Sequence, residues 1–215
     1  MMEPRQIYFA GDLFDHKDIS GNLLLAEAVK EVSQCRYSAI LPQDSESNNL
    51  RSVHEIRDRD LEMLFCADCI VANFDGCELD SGTVVEFCFA KMLDLPAVLL
   101  RTDFRVKGDN GKDPWNLMCS GYPRTEVLLI SAMEQYHRLR QEFPQDTVKA
   151  MHRETAKMIV DALDRMFMVK SRFTPQEACG AMKFAADTAG ATVPELFPED
   201  RIKELTEIKK QRQVY

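Results

Sequence analysis

Five short apolar runs, separated by stretches of helical periodicity, restrict what this chain can fold into more than any other feature. The runs are Ile7-Tyr8-Phe9-Ala10, Ala39-Ile40-Leu41, residues 69–74, residues 97–100 and residues 127–130. Apart from Asn73, each is apolar without interruption rather than alternating with polar residues. That is the pattern of strands covered on both faces, and hence of a parallel sheet. Residues 21–32 carry Leu24, Leu25, Ala28, Val29 and Val32 at helical spacing, and residues 51–66 carry Ile56, Leu61, Leu64 and Phe65 on one side. A further helix opens at Asp80-Ser81-Gly82-Thr83 and runs to about Leu93. Strands that alternate with helices give a doubly wound α/β fold around a five-stranded sheet.

After the last strand the pattern is helical alone. Residues 147–168 form a long amphipathic helix whose stripe includes Met151, Thr155, Met158, Ile159 and Leu163, the pattern of a core or interface face. Thr174-Pro175-Gln176-Glu177 is a capping box with proline at the first helical position. It predicts a helix to about Ala189, stopped by Gly190. A last helix follows Pro198, with a charged composition that suggests a solvated face.

Charge and cysteine content narrow the function classes. The net charge of −8 argues against nucleic acid, because polyphosphate binding needs a basic face. A neutral or cationic small ligand fits better. No run is long and apolar enough to span a membrane, so no membrane partner is expected. The first residues lead straight into a strand without a signal-peptide core, and a cytoplasmic location is expected. The seven cysteines are then expected to be reduced and mostly buried. Cys66 and Cys69 have C-x-x-C spacing, but no second ligand pair accompanies them, and they sit where a helix ends rather than where one opens. His16, His54, His137 and His152 are isolated from one another. The reading therefore includes no metal and no cofactor.

Ligands of an open parallel sheet bind at the carboxyl ends of its strands. Tyr8 lies within the first strand, with Gly11 and Asp12 just past it. Gln43 follows the second strand and Asp75-Gly76 the third. Asn116 lies in the long polar loop of residues 103–124. The densest feature is the acidic strand-to-helix junction from Asp75 to Glu86. Asp80 or Ser81 can cap the helix through a side-chain oxygen, and Gly82 permits close approach of a ligand. A carboxylate at Glu86, near the helix N-terminus, would be kept ionised by the dipole. Val84, Val85, Phe87, Phe89 and Ala90 surround it, and a glutamate buried among apolar residues needs a reason. Arg57-Asp58-Arg59-Asp60 reads as a solvated charge cluster with local ion pairs, although Asp60 can face the cleft.

Taken together, these segments resemble the nucleoside 2-deoxyribosyltransferases. The resemblance rests on residues 7–11, Asp60 ahead of residues 67–72, Asp75-Gly76, the run from Asp80 to Ala90, and Asn116-Leu117-Met118. It covers residues 6–131 and implies a flavodoxin-like core. It implies residues 1–170 as the catalytic domain. Residues 171–215 then form a helical C-terminal extension without counterpart in shorter members. Glu86 would attack C1′ of a deoxynucleoside, Tyr8 would steady it, and Asp60 would protonate the leaving base. Asp80, Asn116, Gln43, Asp75, Gly11 and Gly82 would bind sugar and base. The implied partners are deoxynucleosides and free nucleobases, in a homo-oligomer of two to six subunits whose sites share Asn116 across an interface. One departure is Cys88, where many members carry glycine in Glu-Leu-Gly-Tyr-Ala.

The chemistry would be that of a retaining glycosidase, with a covalent sugar ester. Hydrolysis on the same scaffold is the first alternative. Relatives that cleave nucleotides need phosphate donors near the first loop, whereas Asp12-Leu13-Phe14-Asp15 is acidic. Phosphoribohydrolases carry Pro-Gly-Gly-x-Gly-Thr before their glutamate, which this chain lacks. A non-catalytic nucleoside-binding module is the second alternative, and the joint retention of Tyr8, Asp60, Asp80, Glu86 and Asn116 argues against it.

Overall fold

A computed structural model describes residues 3–45, 52–105 and 114–215. Its strands are β1 (Arg5–Ala10), β2 (Tyr37–Ile40), β3 (Cys69–Asn73), β4 (Ala97–Arg101) and β5 (Thr125–Leu129). All pair in parallel in the order β2-β1-β3-β4-β5, the flavodoxin-like arrangement. The helices within this unit are α1 (His16–Val32), α2 (Pro42–Ser45), α3 (Val53–Cys66), α4 (Ser81–Met92), α5 (Ala132–Glu142) and α6 (Thr147–Met168). Three more follow: α7 (Pro175–Ala189), α8 (Val193–Leu196) and α9 (Glu199–Gln211).

The pleat divides the core in two. Ile7, Phe9, Cys69, Val71, Val98 and Leu100 point to one face, where Ala28 and Val29 of α1 and Ile159 and Leu163 of α6 cover them. Tyr8, Ala10, Ile70, Ala72 and Leu99 point to the other, toward Leu64 and Phe65 of α3 and Phe87 of α4. Burial on both faces explains why the sequences of the central strands β1, β3 and β4 do not alternate, whereas the edge strands β2 and β5 are partly exposed. The stripe of α6 is core, with Thr155, Ile159, Ala162 and Leu163 all buried.

Helix starts follow local chemistry. The Asp15 carboxylate caps α1, accepting from Lys17 N at 2.7 Å. Ser52 and Glu55 form a capping box on α3, and Thr174 and Glu177 form the expected one on α7. The C-terminal helices add Met182, Ala186, Val193, Phe197, Ile202 and Val214 to the same apolar cluster that holds Tyr8 and Phe87. The face of α9 is therefore only partly solvated, since Ile202, Thr206 and Lys209 are buried.

Some expectations change. Helix α5 was not anticipated. Asp44 belongs to α2, and the polar loop expected beyond it falls outside the described residues from 46 to 51. All seven cysteines are free thiols, but Cys35, Cys77 and Cys88 are exposed and only Cys69 and Cys119 are fully buried. No helix among the described residues is long and apolar enough to cross a membrane.

Candidate active site

The sheet order reverses direction between β1 and β3, which opens a crevice at their carboxyl ends. Gly11 follows β1 at this point. A Cβ there would lie 3.1 Å from Cβ of Asn73, the last residue of β3, so glycine lets the two strand ends stay close. Tyr8 of β1 is fully buried, and its hydroxyl donates to Glu86 Oε1 at 2.6 Å. Strand β1 and helix α4, 78 residues apart in sequence, thus meet through one short hydrogen bond.

Glu86 is the sixth residue of α4, in the second turn rather than at the cap. The dipole reaches weakly there, because its effect falls off within the first turn. Burial therefore decides its charge, contrary to the expectation of a carboxylate held ionised. Burial raises the Glu86 pKa to about 7, with the charges of Asp60 and Asp80 pushing the same way and the Tyr8 hydrogen bond pulling against them. Burial and the Glu86 charge also push the Tyr8 phenol far above its ordinary range, so it remains a proton donor. Glu86 and Tyr8 are thus both shifted by burial and by each other, which is the arrangement expected of functional groups.

This charge balance predicts a trade between stability and function. A carboxyl with a raised folded-state pKa favours the fold while protonated, and loses that contribution as pH rises through about 7. Glu86→Gln keeps the neutral shape at every pH. Its melting temperature should exceed that of the wild type at pH 8, and the gap should close below the ordinary glutamate range. Melting curves across pH check this, and a variant less stable than wild type at pH 8 would contradict it.

Asp80 is the N-cap of α4. Its Oδ2 accepts from Thr83 N at 2.6 Å and from Thr83 Oγ1 at 2.9 Å. At Gly82 a Cβ would stand 3.0 Å from that same oxygen, so the glycine keeps the cap clear. Asp12 lies beside Asp80 and Asp75, and burial together with these neighbours raises its pKa. Asp75 has a structural task as well. Its carboxylate accepts from Thr102 N at 2.6 Å, Asp103 N at 2.8 Å and Thr102 Oγ1 at 2.7 Å, tying the end of β3 to the end of β4. The Gln43 amide faces α1, donating to the Ile19 carbonyl at 3.0 Å and accepting from Asn22 at 3.4 Å.

Asn116 stands apart from this cluster. It caps a short 3-10 turn (Leu117–Cys119) by accepting from Met118 N at 2.9 Å. The cavity it lines, with Cys77, Leu79, Val84, Arg101 and Trp115, includes none of Tyr8, Asp60 or Glu86. Trp115 is buried, edge-on to Phe74 at 5.2 Å, rather than exposed beside Leu117 and Met118. Sequence reasoning missed Arg101. It is buried at the end of β4 and donates to the carbonyls of Phe74 and Gly76, shaping the loop that leads to Asp80. A lone arginine directly after a buried strand was the available signal.

The family model for nucleoside 2-deoxyribosyltransferases matches residues 7–118, just over half of the chain. The chain belongs to this family. The matched span contains the Tyr8–Glu86 bond, Asp60, Asp80 and Asn116, so this deoxyribosyltransferase relative holds every group described above inside the family region. Its fold is similar to that of a conserved protein from Enterococcus faecalis V583, with 24% identity and a TM-score of 0.51 over 65% of this chain and 99% of that one. A 2-deoxyribosyltransferase from Leishmania mexicana matches with 21% identity and a TM-score of 0.46, over 65% and 99% of the two chains. A 2-deoxyribosyltransferase from Bacillus psychrosaccharolyticus matches at 19% and 0.40, over 48% and 77%. No curated protein matches the sequence.

Proposed function

We propose that this family member exchanges the base of 2′-deoxynucleosides through a covalent deoxyribosyl ester on Glu86. The observation that carries the reading is the 2.6 Å bond from the buried Tyr8 to a half-buried Glu86 whose pKa is raised to about 7, with the charges of Asp60 and Asp80 adding to the rise. The phenol holds Oε1 and fixes the carboxylate, leaving the other oxygen to face C1′ of a bound nucleoside. As the C1′–N bond breaks, its electron pair goes to the base, which takes a proton from Asp60, while a Glu86 oxygen bonds to C1′. A second base then attacks C1′ with a ring nitrogen. The ester bond breaks, Glu86 recovers its carboxylate, and the surplus proton returns to Asp60.

Asp80, fixed through one oxygen by Thr83, has its other oxygen for a sugar hydroxyl. Gly11 keeps the ends of β1 and β3 close and Gly82 keeps the Asp80 cap clear, while Asp75 sets the wall by joining β3 to β4. Gln43, in α2 just past the end of β2, is the candidate base contact. The acidic rim of Asp12, Asp15 and Asp18 favours free nucleosides over nucleotides, because it would repel a 5′-phosphate. No step of this scheme calls for a metal or cofactor.

The deciding experiment is incubation with a 2′-deoxynucleoside, with and without a second free base, followed by chromatography. A new deoxynucleoside should form faster than free deoxyribose. Deoxyribose released at one rate whether or not the second base is present would instead support hydrolysis.

Assembly is part of the same proposal. Asn116 lies outside its own subunit's cluster, and Leu117 and Met118 beside it are 51% and 72% exposed. Apolar groups of this kind are enriched at subunit interfaces. A homo-oligomer would bury them and bring Asn116 to a neighbour's sugar. Glu86→Ala and Asn116→Ala proteins, each inactive alone, should therefore regain activity when their subunits are mixed and exchanged. A dead mixture after proven exchange would show that Asn116 does not act across an interface.

A further inference from the structure

Helix α3 carries Asp60 and is gripped along its far side by the C-terminal segment. The Thr192 backbone N–H and hydroxyl donate to Asp58 Oδ2 at 3.0 and 2.6 Å. Arg201 donates to Glu62 Oε1 at 2.7 Å. Phe197 packs on Phe65 with ring centroids 5.2 Å apart. Asp58, Glu62 and Phe65 are spaced i, i+4 and i+7, so they form one stripe of the helix. At about 100° per residue, Asp60 lies roughly opposite that stripe. Asp58 is buried despite its place in a charge cluster. Burial opposes its ionisation, but the Thr192 and Arg57 hydrogen bonds outweigh that and hold its carboxyl below the ordinary range.

The grip extends to α4. Phe65 also packs on Phe89, at 5.7 Å, and Phe89 lies three residues beyond Glu86. The Tyr215 hydroxyl donates to the Leu93 carbonyl at 3.1 Å, just past the end of α4. Beyond α3, Arg212 donates to Asp68 at 3.0 Å and the buried Lys209 ammonium donates to the Ala67 carbonyl.

We propose that residues 171–215 are a positioning clamp, in which Thr192 acts through Asp58 to set the rotation of α3 and so the place of Asp60 beside Glu86. This assignment rests on the proposed role of Asp60 as proton donor to the leaving base. Thr192 is a positioning residue and touches no substrate. Loss of the hydroxyl bond leaves Asp58 with the Thr192 backbone N–H and Arg57 alone, a looser pin on the side of α3 opposite Asp60.

The test compares two donors. An ordinary purine deoxynucleoside needs its base protonated as it leaves. An N7-methylated purine deoxynucleoside carries a cationic base that leaves without a proton. Thr192→Val should lower kcat on the ordinary donor by about tenfold, change the methylated donor less than about twofold, and lower the melting temperature by only about a few degrees, because the Thr192 backbone N–H and Arg57 still donate to Asp58. Thr192→Ser, which keeps the hydroxyl, should restore the ordinary donor. Where wild type cleaves both donors, equal losses on the two, or no loss on either, overturns the clamp. Amide-hydrogen exchange needs no substrate and separates this idea from the function itself. Faster exchange in Val53–Cys66 of Thr192→Val supports the clamp even if wild type cleaves neither donor, a result that would sink the transferase reading alone. Unchanged exchange there overturns the clamp.

Discussion

Replacing Glu86 by alanine is expected to abolish base exchange, with a loss of about 10⁴-fold or more, while the fold survives. The size follows from the role. Without a carboxylate at this position no ester can form, and no second carboxyl lies on the same helix turn to replace it. Tyr8 would keep a buried hydroxyl without its 2.6 Å acceptor, a cost borne by stability rather than by catalysis. That cost is offset, because the variant no longer buries a carboxyl whose pKa has been raised to about 7. Steady-state exchange assays and far-UV circular dichroism check both halves of the expectation. Retained exchange in a folded Glu86→Ala protein would remove Glu86 from the chemistry.

The second large effect is on stability. Phe65 is fully buried and sits between Phe89 of α4 at 5.7 Å and Phe197 beyond α8 at 5.2 Å. It is the ring through which the C-terminal segment reaches both helices of the site. Phe65→Ala should cost about 3–5 kcal/mol, because lost burial and a cavity add together. For a chain of this length that lowers the melting midpoint by roughly 10 °C. Phe65→Leu, which fills more of the space, should recover much of the loss. Calorimetry decides the matter, and a Phe65→Ala protein melting within a degree or two of wild type would show that the C-terminal helices do not share this core.

The sheet was legible because burial on both faces writes itself as largely apolar runs, as in the central strands β1, β3 and β4, while the edge strands β2 and β5 kept apolar runs although they are partly exposed. The long helix Thr147–Met168 was read with its observed bounds, since a broad apolar stripe fixes both ends. Helix α5 escaped because its stripe is thin. Of its eleven residues only Gln135 and Leu139 are buried, and the remainder is mostly charged or polar. Asp58 was misread for a different reason. Local pattern cannot see Thr192, 134 residues away, which turns an apparently solvated carboxylate into a buried anchor. Trp115 turns inward onto Phe74, a contact that no local pattern could show because it depends on how the loop folds back.

Within the site, residue identity was easier to read than charge. The spacing from Asp80 to Glu86 marks a capped helix with a carboxyl in its second turn, and the structure shows that turn. What spacing could not reveal is that Tyr8 bonds Glu86 across the fold, and that burial, with the charges of Asp60 and Asp80 adding to it, raises the Glu86 pKa. Whether a carboxyl is ionised depends on neighbours brought together by the sheet, not on its own position in a helix.

The most direct measurement is intact-mass spectrometry of the protein mixed with a 2′-deoxynucleoside and no acceptor base, quenched within seconds. The account predicts a species heavier by one deoxyribosyl group, located by peptide mapping at Glu86, that disappears when a second base is added. Consumption of the deoxynucleoside with no adduct, or an adduct on another residue, would contradict it.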